Sequence, residues 1–73
     1  MLNDHPLYDS DDNVYFEKTG KTIVEWMSIL DSWNGLEKGH TKMTIYLEQE
    51  FNLTPEWAQA VAIRYQKEKY LSG

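Results

Sequence analysis

At 73 residues the chain is long enough for one small domain, and without cysteine it has neither disulfides nor thiolate metal ligands to brace it. Its formal charge of −5 is uneven, since residues 1–17 carry Asp4, Asp9, Asp11, Asp12 and Glu17 with no base, whereas residues 18–73 carry seven acids and seven bases. An acidic arm ahead of a neutral body lacks the basic footprint that gripping a phosphate backbone requires, and no apolar run approaches a membrane span.

Residues 1–10 contain Pro6 and no hydrophobic period, and read as an acidic N-terminal arm; residues 11–73 read as a single helical domain. Asp11-Asp12-Asn13 suit the start of a short helix over Val14 to Lys18, because acids favour the positive end of the dipole. Gly20 fits a left-handed stop to that helix. Thr22 and Glu25 then stand in capping-box spacing and open a central helix. Its Ile23, Trp26, Met27, Leu30 and Trp33 make one apolar stripe, which the rest of the chain is expected to cover. Asn34-Gly35 should end the central helix, leaving Leu36 to His40 as a surface loop.

His40 or Thr41 opens a second helix with Met43, Tyr46, Leu47 and Phe51 on its apolar side and Glu48-Gln49-Glu50 on its wet side. Asn52 is placed to stop it in the left-handed conformation. Thr54-Pro55-Glu56 is a capped start with proline in the first turn, where its missing N–H costs nothing. The third helix presents Trp57, Ala58, Val61, Ala62 and Tyr65 on one face, the two alanines allowing close approach by another helix. The expected fold is all-α, a compact three-helix bundle with a short extra helix in front.

The motifs in this order resemble a known family. Glu17-Lys18-Thr19-Gly20-Lys21-Thr22, then Glu25-Trp26, His40, Tyr46-Leu47, Glu50, Leu53, Trp57-Ala58 and Ala60 are similar to a bacterial family of small helical domains of unknown function. Its members open on Lys-Thr-Gly-Lys-Ser/Thr, and some are joined to larger domains, including START-like ligand-binding folds. The likeness spans residues 14–66. The chain departs from the family pattern at Tyr46, at Asn52 and at Thr54-Pro55-Glu56, where a tryptophan, a glycine and a Gly-His turn are usual. The resemblance implies a small helical accessory domain and brings no biochemical activity with it.

Three stretches invite a chemical reading. Gly20-Lys21-Thr22 has the end of a phosphate loop, but Tyr15 stands where that motif needs its first glycine, and no strand precedes it. Asp9 to Asn13 begins like a calcium loop, but Val14 replaces its glycine and Gly20 its closing glutamate. His5 and His40 are the histidines, and with no cysteine and no serine in a nucleophile motif, His40 is expected to serve the start of the second helix or to bond to backbone there. Neither catalysis, nor a metal, nor a cofactor is expected, and a cytoplasmic setting is the default because residue 1 onward lacks a basic start and an apolar h-region.

The remaining clue is the surplus of rings: three Trp, five Tyr and two Phe exceed what so small a core hides. Phe16, Trp33, Tyr46, Tyr65 and Tyr70 are therefore the candidate interaction surface, for a protein partner or a second copy as a homodimer. The alternative is a helix-turn-helix-like nucleic-acid binder, with the third helix as reader and Arg64, Lys67 and Lys69 toward phosphate. Against it stands Glu56, which would face phosphates from the first turn of the reading helix.

Overall fold

Side-chain caps and left-handed residues set the helix boundaries in the computed structural model, which describes residues 7–72, the last two by backbone alone. After a 3-10 turn at Leu7–Asp9 come α1 (Asp12–Thr19), α2 (Ile23–Ser32), α3 (Gly35–Lys38), α4 (His40–Phe51) and α5 (Pro55–Ser72). No strand occurs among the described residues, and the chain is all-α. Asp11 Oδ1 accepts from the Val14 N–H at 3.2 Å and starts α1. Gly20, at φ 87, ends that helix in a conformation that a side chain would disfavour. The capping box of α2 is complete: Glu25 N–H donates to Thr22 Oγ1 at 3.3 Å and Thr22 N–H to Glu25 Oε1 at 2.8 Å. Asn52, at φ 59, stops α4, and Thr54 Oγ1 accepts from the Trp57 N–H at 3.4 Å across the start of α5.

The helix count exceeds the expected three plus one, because the segment read as a loop after Asn34 forms α3. Asn34 lies in the left-handed region at φ 63 and reverses the chain, and Gly35 enters the interior. A single helical turn is too short to show a period in sequence. Gly35 is there because of close approach: a Cβ would meet Met43 Sδ at 3.0 Å, Tyr65 Cε2 at 3.2 Å and the Leu30 carbonyl at 3.3 Å.

The core joins Tyr15, Trp26, Leu30, Met43, Leu47, Ala58, Val61, Ala62 and Tyr65. The element the others gather on is α5, which contacts α4, α2 and the 3-10 turn, so α2 is one wall rather than the centre. The small side chains Ala58, Ala60 and Ala62 explain this, since they let neighbours close on α5 from more than one side. Tyr15 binds from α1 by an edge-on contact with Trp57, centroids 5.5 Å apart, and donates its hydroxyl to the Tyr8 and Ala60 carbonyls at 2.9 and 3.3 Å.

Part of the expected arm is thereby held in place. Arg64 Nη1 donates to the Tyr8 and Ser10 carbonyls at 3.0 and 3.2 Å, tying the turn Leu7–Asp9 to α5. Positions 1–6 of that arm, with Asp4 and His5, lie outside the described residues.

Candidate interaction surface

The Lys18-Thr19-Gly20-Lys21-Thr22 run is turn chemistry. Thr19 Oγ1 donates to the Tyr15 carbonyl at 2.6 Å and accepts from the buried Trp26 indole N–H at 2.8 Å. Asp12 Oδ1 accepts from the Ile23 N–H at 2.7 Å, so a carboxylate of α1 serves the first turn of α2. The acids that began like a calcium loop are thus occupied as helix caps, Asp11 on α1 and Asp12 on α2. Among the described residues no three His, Asp or Glu groups converge as a metal site would need.

His40 reaches across to α5 rather than to nearby backbone. Its Nε2 lies 2.9 Å from Gln59 Oε1, and its Nδ1 lies 2.8 Å from Gln66 Nε2, which also donates to the Ala62 carbonyl at 3.1 Å. Because Gln66 must present its amide hydrogens to both acceptors, the imidazole is assigned as neutral, with its proton on Nε2. His40 is a tie between the start of α4 and the middle of α5.

The five rings of the candidate surface separate into three groups. Tyr65 is buried at 2% exposure, so it belongs to the core and not to a surface. Its hydroxyl donates to Asp31 Oδ1 at 2.7 Å, and burial, with that carboxylate second, pushes its pKa up to about 12. Phe16 on α1 and Tyr70 near the end of α5 are exposed at 55% and 74%, with no ring contact to the remaining pair. Trp33 and Tyr46 come together as a parallel stack, centroids 4.1 Å apart and planes 10° from parallel. Lys38 Nζ stands 5.1 Å from the Trp33 centroid, and Phe51 meets Tyr46 edge-on at 5.6 Å.

That stack borders a shallow groove of about 240 Å³, completed by Lys42, Ile45, Gln49 and Glu50 of α4. Ile45 is 47% exposed at its edge. Lys42, Gln49 and Glu50 make no side-chain hydrogen bond or ion pair among the described residues. The sequence singles out the two rings, but residues 48–50 read there as wet surface and neither Ile45 nor Lys42 stands out. The available signal was Ile45 itself, an aliphatic residue interrupting the polar side of the helix.

The cations of α5 are engaged within the chain. Arg64 pairs with Glu68 at 2.9 Å besides holding the arm, Lys67 Nζ stands 5.4 Å from the Tyr8 ring centroid, and Lys69 pairs with Asp31 at 2.8 Å. The Lys69 hydrogen bond first, and the Tyr65 hydroxyl second, hold the Asp31 carboxyl below the usual range. No helix among the described residues is long and apolar enough to cross a membrane. No family model, curated protein or solved structure matches this chain.

Proposed function

We propose that this chain is a small helical interaction module that docks a protein surface through the groove that Trp33, at the end of α2, forms with Tyr46 of α4, without chemistry of its own. The observation that carries the reading is the groove: a rigid aromatic stack beside an exposed isoleucine, rimmed by polar side chains that bind nothing else. Protein interfaces concentrate aromatic anchors inside a polar rim in this way. A nucleic-acid reader is the weaker reading, because Arg64 and Lys69 are held in ion pairs and Lys67 lies against Tyr8.

A photo-crosslinking amino acid placed at Ile45 in producing cells tests the reading, with Val24 as control. Val24 is 74% exposed on α2 and lies outside the groove. Protein adducts at position 45 in excess of those at position 24 are expected. Equal or absent adducts at position 45 would remove the groove from any docking role.

A further inference from the structure

The groove has a charge pattern that fits itself. Lys42 and Glu50 both line it, are opposite in sign and are eight residues apart on α4, about 12 Å along the axis at ~1.5 Å per residue. Tyr46 lies midway between them in sequence, and Ile45 is beside it. A two-fold axis through Tyr46 would set α4 antiparallel to α4 of another molecule. It would bring the Tyr46 and Ile45 side chains of both copies to the centre, and Lys42 opposite Glu50 of the second copy twice over. A self-complementary patch of this kind is what a two-fold dimer needs.

We propose that the occupant of the groove is a second copy of this chain, packed α4 against α4 in antiparallel fashion; this rests on the groove being a docking surface at all. Three observations support it. The polar rim is unpaired within the chain, so the cross-pairs form without breaking existing ones. The groove balances one lysine against one glutamate, although the whole chain is at −5, so this face adds no like-charge contact of its own when two copies meet. The stacked Trp33 and Tyr46 are already immobilised against each other, which lowers the ordering cost of association. A standard interface covers about 800 Å² per partner, roughly a sixth of the 4787 Å² surface, more than one helix face offers. The dimer is accordingly weak and concentration-dependent.

Sedimentation equilibrium of the intact chain and three variants, Lys42→Glu, Glu50→Lys and the double exchange, tests the pairing. Positions 42 and 50 are exposed, so circular dichroism should report all four chains folded alike. Either single exchange sets two like-charged pairs across the axis and should weaken the dimer by about tenfold or more, and the double exchange should restore it to within about threefold. A monomer at every concentration, or a double exchange no better than the singles, overturns the self-pairing. The crosslinker at Ile45 separates the two readings. Adducts at twice the chain's mass support self-pairing, adducts with a different protein from a chain that stays monomeric overturn self-pairing alone, and no adduct overturns the docking role with it.

Discussion

Thr19 shows how much of this fold depends on single hydroxyls and single missing atoms. Its Oγ1 is the hydrogen-bond partner of the Trp26 indole, a ring 2% exposed. Thr19→Val keeps the shape but leaves that N–H unpaired, and should cost about 1–3 kcal/mol in urea unfolding, with Thr19→Ser losing less. Unchanged stability in the valine variant would show that the bond contributes nothing. At Gly35 the constraint is steric. The Tyr65 ring is held by Asp31 and the Leu30 carbonyl is backbone, so of the three close neighbours the Met43 sulfur alone yields easily. Gly35→Ala should therefore destabilise by about 1–3 kcal/mol, and a thermal melt at or above that of the parent chain would contradict the close packing.

Between elements, the tie of α2 to α5 through Asp31, Tyr65 and Lys69 makes stability pH-dependent in a defined direction. Burial raises Tyr15 and Tyr65 from 10.0 to about 12, so each holds its proton more tightly in the folded chain than in the unfolded one. Their contribution is whole below pH 10 and is lost as pH rises toward about 12. Asp31 works in the opposite sense: its folded-state pKa lies below 3.8, so its contribution is present above that value and lost in stronger acid. The melting temperature should fall between pH 10 and about 12, and less steeply in Tyr65→Phe, which cannot ionise there. An equal slope in the two chains would contradict the tyrosine's share in the loss.

The same scale shows what was legible in sequence. Caps were, because they are local: Thr22 with Glu25, Gly20, Asn52 and Thr54-Pro55 each act within a few residues, and each lies at a boundary of the structure. The apolar stripes were legible too, with Trp26, Leu30, Met43, Leu47, Ala58, Val61 and Tyr65 buried as their periods require. Long-range partners were not. Nothing in the spacing pairs Asp12 with Ile23, His40 with Gln59 and Gln66, or Trp33 with Tyr46, since each pair depends on how helices cross. Tyr65 was legible as part of the α5 stripe, and its second assignment, to a surface, failed because the α2 and α3 neighbours that close over its ring are remote in sequence.

In the whole molecule a small all-α body with a core built on α5 carries an aromatic face where Trp33, at the end of α2, stacks on Tyr46 of α4. Arg64 and Lys67 of α5 are engaged with the arm turn and Lys69 with Asp31, whereas Lys42, Gln49 and Glu50 stand unpaired among the described residues around the Trp33–Tyr46 stack. In the proposed dimer this face meets the same face of a second molecule. The direct measurement is an amide and indole NMR dilution series on the isotope-labelled 8.6 kDa chain, from millimolar to low micromolar. Concentration-dependent shifts are expected at the Trp33 indole and along residues 42–50, with Phe16, Val24 and Tyr70 unmoved. Shifts centred on those three exposed side chains, or none at any concentration, would contradict that dimer.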